Sequence, residues 1–310
     1  MEGTRGLFPL TIMRTPAAEH LILQRVTALG RALPAAGKGD TTSVHQARVA
    51  SRRLRAAFPL IAKGKKADKL ARSVRKLTQA LGPVRELDVE LLILDELEDS
   101  GDVPRSAVQK LRVAIGDERR LLHSGLKDRL EAFDLGKLRK RAVSAVRKQE
   151  GKVPTGTRDP KRVDAARHRA GHRAARVVAA MDEAAGLYLP DRLHKVRIAV
   201  KKLRYTLELE PGASASRGAA RLRTLKTAQD LLGRMHDLEV LIARARGIQS
   251  SPGASTLKVS ADLDRLVRRL ENECRQLHGH YMASRRELLA LCNRIIARGE
   301  AADHERTSAA

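Results

Sequence analysis

The segment Val44-His45-Gln46-Ala47-Arg48-Val49-Ala50-Ser51-Arg52-Arg53-Leu54-Arg55 carries two interleaved patterns of helical period. At about 100° per residue, Val44, Ala47, Leu54 and Phe58 gather on one arc. His45, Arg48, Arg52 and Arg55 fall on a neighbouring arc of about 80°, so a basic stripe borders the face that would be buried. The strict alternation that a half-buried strand needs is absent here and in the rest of the chain, where Ala, Leu and Arg dominate every long segment and aromatics make up 2%. The chain is read as all-α.

The segment recurs. Leu193-His194-Lys195-Val196-Arg197-Ile198-Ala199-Val200-Lys201-Lys202-Leu203-Arg204 follows it at a constant offset of 149, without a gap. A second pair comes in the same order, Leu81-Gly82 with Arg85-Glu86-Leu87-Asp88-Val89 against Leu232-Gly233 with His236-Asp237-Leu238-Glu239-Val240, at an offset of 151. Between them Lys76 and Gln79 are set against Lys226 and Gln229 at 150. Two blocks in register across so long a spacing point to duplication of a helical hairpin unit. Breakers divide the chain at Pro34–Asp40, Gly64, Gly101–Pro104, Gly151–Pro160, Gly186–Pro190, Pro211–Gly218 and Gly247–Gly253. The expected organisation is an N-terminal arm over 1–15, a first helical half over 16–150, a linker over 151–160, a second half over 161–300 and a flexible tail over 301–310.

Charge decides which partners are worth considering. Among 310 residues, 61 Lys and Arg face 36 Asp and Glu, a formal net charge of +25. Such an excess repels itself unless a polyanion or a negative surface offsets it. Cys274 and Cys292 are too few for a disulfide framework or a zinc site, which fits a reducing, cytoplasmic compartment. The first residues hold no apolar run of a secretion signal, and no stretch of about 18 apolar residues suggests a membrane span.

The stripe finds no carboxylate on its own helix, since none lies between Val44 and Lys66 or between Leu193 and Leu207. An ordinary solvated basic face is usually paired at i,i+4, whereas these rows are not. Each runs for about 15 Å. Guanidinium forks suit phosphate oxygens and lysines add point charge, so an extended phosphate polyanion can be held at successive units. An imidazole beside phosphates is expected to shift towards imidazolium. Asp88 or Glu239 is expected to anchor one stripe arginine.

The paired His-x-x-Arg-x-x-x-[Arg/Lys]-[Arg/Lys]-Leu-Arg segments, the second ending in Tyr205, together with the later Leu-Gly pairs, resemble the CHAD domain, the conserved histidine α-helical domain family, over residues 16–300. The resemblance implies two four-helix bundles related by pseudo-twofold symmetry, with motif helices lining a basic central cavity. It also implies binding of inorganic polyphosphate, often at polyphosphate granules. Carried over by position, the contacts are His45, Arg48, Arg52, Arg53 and Arg55 in the first half and His194, Arg197, Lys201, Lys202 and Arg204 in the second, with Lys76 and Lys226 from the following helices. The second copy departs from the first in having Lys201 and Lys202 for two arginines, and His236 for Arg85. The Glu-x-Glu-x-Lys motif of the triphosphatase-type domain to which many relatives are fused is absent.

Other constellations are weaker. Gly37-Lys38-Gly39-Asp40-Thr41 lacks the glycine spacing and hydroxyl residue of a phosphate loop. His168 with His172, and His278 with His280, have no third ligand and arginine neighbours, so no metal is expected. No nucleophile–base arrangement emerges, and no cofactor or catalytic residue is expected. The competing reading is a nucleic-acid binder that contacts the phosphate backbone. A single-strand binder needs stacking platforms, and three Tyr and three Phe are too scattered to build one.

Overall fold

The computed structural model describes residues 16–61, 65–150, 160–208, 216–251 and 256–308. Among these residues there are nine helices and no strand, as the composition requires. They are α1 (Pro16–Gly37), α2 (Thr41–Ile61), α3 (Lys65–Ser100), α4 (Arg105–Glu131), α5 (Leu135–Glu150), α6 (Pro160–Ala184), α7 (Pro190–Leu207), α8 (Ser216–Gln249) and α9 (Leu257–Ser308). The arm over 1–15 and all of the expected linker except Pro160 lie outside the described residues. Three breakers prove internal to helices: α1 continues through Pro34, and α8 already contains Gly218 and still contains Gly247. Residues 301–308 of the expected tail continue α9 to Ser308.

The order α1–α2–α3–α4–α5 is matched by α6–α7–α8–α9, with one long α9 where the first half has two helices. Ala132 takes a helical C-cap after α4, and Asp134 accepts the Lys137 N–H at 2.7 Å to start α5. The counterpart stretch of α9 has no such cap and remains one helix.

The core explains why the two halves form one body. One apolar cluster joins α1, α2, the first part of α3, the end of α4 and α5, around Leu29, Leu54, Phe58 and Leu81. A second joins α6, α7, the first part of α8 and the later part of α9, around Val177, Val200, Leu203 and Tyr281. A third belongs to neither half: Ile93, Leu94, Leu111 and Ile115 pack with Leu238, Leu241, Leu263 and Leu266. The far ends of the long helices α3 and α8 thus share a core with the start of α4 and of α9. Burial of this apolar surface is the main force holding the halves together.

Charged contacts fix their register. Arg244 of α8 reaches Glu90 of α3 at 2.5 Å and Glu118 of α4 at 2.5 Å. Arg234 of α8 bridges Glu96 of α3 at 2.7 Å and Glu273 of α9 at 3.0 Å. The Ser106 hydroxyl donates to the buried Asp262 across the same junction. No helix among the described residues is long and apolar enough to cross a membrane.

Candidate functional site

The turn between α1 and α2 shows how the first stripe is placed. Gly39 takes φ +91°, a left-handed conformation that suits glycine. Asp40 then accepts the Ser43 N–H at 2.7 Å, and the Ser43 hydroxyl, followed by this N–H, holds its carboxyl below the usual range. That cap starts α2 four residues before His45. In the second half Pro190 and Asp191 open α7. The apolar faces then turn inward, with Val44, Ala47 and Leu54 buried on α2 and Leu193, Val196, Val200 and Leu203 buried on α7.

Helices α2 and α7 touch over a short stretch, and there their stripes approach each other. Arg197 acts on Arg48, and Arg52 is the strongest charged neighbour of Lys201. The guanidinium of Arg52 lies over the ring of Tyr205 on α7, 5.6 Å from its centroid, and that of Arg204 lies over the same ring at 5.4 Å. One aromatic side chain therefore serves a guanidinium from each half, at a spacing typical of cation–π contact. Its counterpart in the first half, at the offset of 149, is Ala56.

Neutralisation by carboxylates is slight. Among the described residues no Asp or Glu forms a contact ion pair with Arg48, Arg52, Arg55, Arg197 or Lys201, while Arg204 lies 3.6 Å from Glu208. Arg48 instead donates to the Thr78 carbonyl of α3 at 3.1 Å, and the Arg197 Nε is buried without a hydrogen bond. Burial, followed by the charge of Arg52, lowers the basicity of Arg48. Lys201 is brought down to about 7 by burial and then by Arg52, Arg197, Arg48 and Arg55. A cluster whose cations repel one another in this way gains from a nearby anion.

The histidines extend the seam. Burial and the cations Arg85, Arg48 and Arg52 hold His45 below the ordinary imidazole value. His194 Nδ1 faces His236 Nδ1 at 3.2 Å, and burial with Arg197, His194 and Lys201 brings His236 down to about 4. The protein's own charges thus favour neutral imidazoles, against which the effect of a phosphate would have to act.

Eight of the twelve residues expected from the sequence come together: His45, Arg48, Arg52, Arg55, His194, Arg197, Lys201 and Arg204. Arg53 and Lys202 follow the stripe by one residue, about 100° around the helix, and are exposed. Lys76 is exposed, and Lys226 pairs along its own helix with Asp230 at 2.5 Å. On α3 it is Arg75, not Lys76, whose charge reaches Arg55. The offset of 151 that pairs Gly82 with Gly233 would have indicated this, because it sets Arg75 against Lys226 and buried Thr78 against half-buried Gln229.

The two glycines have a common task. A Cβ at Gly82 would stand 3.1 Å from Arg48 Nη1, and one at Gly233 would stand 3.7 Å from Arg197 Nε. Each bare stretch of α3 or α8 is the floor on which a stripe arginine lies. The expected anchors are corrected by two residues. Asp88 is buried against Arg119 at 2.6 Å, and Glu239 accepts the Tyr188 hydroxyl, so both are engaged away from the stripes. Glu86 and Asp237, a rotation of about 200° earlier on each helix, are the carboxylates whose charge reaches Arg197, and Glu86 also reaches Arg48.

Duplicated basic helices thus meet in a seam over glycine-floored partners. The CHAD domain model matches residues 20–246, and the chain belongs to that family. The structure is similar to the crystal structure of the CHAD domain from the plant Ricinus communis, with 21% identity, a TM-score of 0.59, and coverage of 93% of this chain and 91% of that one. It is also similar to PptA from Streptomyces chartreusis, with 14% identity, a TM-score of 0.57, and coverage of 93% and 99%. At such identities the likeness is one of fold. No curated protein matches the chain.

Proposed function

We propose that this protein binds inorganic polyphosphate along the seam between α2 and α7, and that it does so without cleaving the chain. The observation that carries this reading is the meeting of Arg48, Arg52, Arg55, Arg197 and Lys201 with no carboxylate in contact among the described residues. Such a row is stabilised by an occupant with closely spaced anionic oxygens, which guanidinium forks hold in pairs. Family membership supports the reading, since polyphosphate binding is what the motif resemblance implies. Association with polyphosphate granules would follow from the same binding.

Polyphosphate fits better than nucleic acid for a physical reason. The inner rungs are half-buried between two packed helices, which suits a chain without sugars or bases. The one tyrosine in the seam has two guanidiniums over its ring, whereas base stacking needs an aromatic face.

Competition at physiological salt tests the assignment. Long-chain polyphosphate is expected to displace duplex DNA of equal phosphate content, and its affinity to fall steeply with added salt. The double reversal Arg48→Glu with Arg52→Glu should abolish tight binding while helicity is retained. Reversal of the exposed Arg139 and Arg141 on α5 should change affinity less than about threefold, as for peripheral charges. Equal losses from both pairs, or a preference for DNA, would overturn the proposal. Sustained phosphate release from polyphosphate in Mg²⁺ would refute the non-catalytic part.

A further inference from the structure

The two halves differ most behind their histidines. The second half has a half-open cavity of about 360 Å³ beside the seam, between the start of α7 and the middle of α8. Its apolar lining comes from Pro190, Leu193, Met235, Val240 and Ala243. His194 and His236 form the side nearest the seam, and Tyr188, Asp191 and Glu239 complete it. At the offsets of 149 and 151, Tyr188 corresponds to Gly39 and Glu239 to Asp88. In the first half Arg119 occupies that place, bonding Asp88 at 2.6 Å and the Gly39 carbonyl at 2.8 Å. In the second half the Tyr188 hydroxyl reaches Glu239 from the rim instead, and the space stays open. A leucine, Leu92, also stands where the second half has the smaller Ala243.

The lining selects a ligand with two unlike ends. Apolar walls with two carboxylates disfavour a bare phosphate, through both desolvation and like charge. They suit a flat apolar group bearing hydroxyl or amine donors, in a volume within the range of about 300–1,000 Å³ usual for small-molecule sites. The cavity also opens on the seam through His194, one helical turn before Arg197 and two before Lys201. A ligand seated there would send an anionic tail along α7.

We propose that this cavity binds the nucleoside end of a nucleoside polyphosphate, with its phosphates entering the seam at His194 and Arg197. The inference rests on the seam being a phosphate site. The base lies against Leu193, Met235 and Val240, while Asp191 and Glu239 accept from ribose or base donors.

Titration of the full chain with ATP and with tripolyphosphate, at equal salt and without divalent metal, tests it. ATP is expected to bind at least about tenfold more tightly, an advantage of the size that one well-seated group supplies. Ala243→Trp, at an exposed position on the cavity wall, should erase that advantage and leave long-chain polyphosphate affinity within about twofold. With the unaltered protein, saturation-transfer NMR should show the base protons of ATP in contact with the Met235 methyl. Equal or weaker binding of ATP than of tripolyphosphate, or an ATP advantage that survives Ala243→Trp, would overturn the inference. If long-chain polyphosphate binds normally in those cases, the function of the seam stands; if it fails to bind as well, the broader proposal falls first.

Discussion

Replacing Gly82 with alanine should make the protein a poorer polyphosphate binder without making it more stable. Gly82 lies in the interior of a helix of 36 residues, where alanine is worth about 1 kcal/mol over glycine, but it precedes Pro83, whose ring crowds a Cβ on the helical residue before it and offsets that gain. Its added methyl, however, would stand 3.1 Å from Arg48 Nη1, the same nitrogen that donates to Thr78 O at 3.1 Å. The guanidinium has to move by a few tenths of an ångström, and the bond to Thr78 weakens. The net change in stability is then about 0 or slightly negative, since the bond to Thr78 contributes about 1 kcal/mol and the Pro83 ring crowds the new methyl. Misplacing a charge-assisted contact costs about 1.5–3 kcal/mol in binding, a loss of about ten- to hundredfold in affinity. Gly233→Ala is the contrasting case: Arg234 follows it where Gly82 has a proline, and its methyl would meet Arg197 Nε at an ordinary 3.7 Å, so a gain of about 1 kcal/mol should come with much less loss of affinity. Urea unfolding and calorimetric titration with long-chain polyphosphate, in the native background and with Arg48→Ala, give both quantities. If Gly82→Ala leaves affinity unchanged, or weakens binding equally when Arg48 is absent, the glycine is not a floor for that arginine.

Polyphosphate affinity should weaken as pH rises above about 7, because Lys201 is held near that value by burial and four arginines, and a bound phosphate chain would return it towards the ordinary 10.5. Between those limits binding takes up a proton, so Kd should rise by up to about tenfold per pH unit, and Lys201→Met should flatten the profile; an unchanged slope in that variant would refute the assignment. Stability without polyphosphate should rise over the same interval, since the unfolded chain keeps the lysine proton that the folded one has released. Arg244→Met should cost about 3 kcal/mol in urea unfolding by stranding the buried Glu90 carboxyl, and Glu90→Leu in the same chain should recover most of it; a single variant as stable as the parent would show that the pair does not hold the halves together.

The primary structure was sufficient for the two basic arcs and for their repetition. Helical spacing in Val44–Phe58 and Leu193–Leu207 separates an apolar arc from a basic one, and the 149-residue repeat shows that the basic arc is duplicated. No acid stands near either row in the chain, so the lack of intrahelical pairing was also legible. What lay beyond it was the partner of each face. Lys76 and Arg75 are neighbours in sequence, but a rotation of about 100° separates a solvated lysine from an arginine beside Arg55. Asp88 and Glu239 are plausible anchors by composition, yet the packing of α4 against α3 gives Asp88 to Arg119, and the loop before α7 gives Glu239 to Tyr188.

Amino-acid order alone therefore determined an all-helical, duplicated, strongly basic protein and most of the residues in its seam. Only the tertiary structure decided that the two rows face each other, that one tyrosine serves both, and that a third core made from both halves holds them so. The reason is physical: a helical period is local and repeats every few residues. The contact between α2 and α7 depends on how the distant ends of α3, α4, α8 and α9 bury their leucines together.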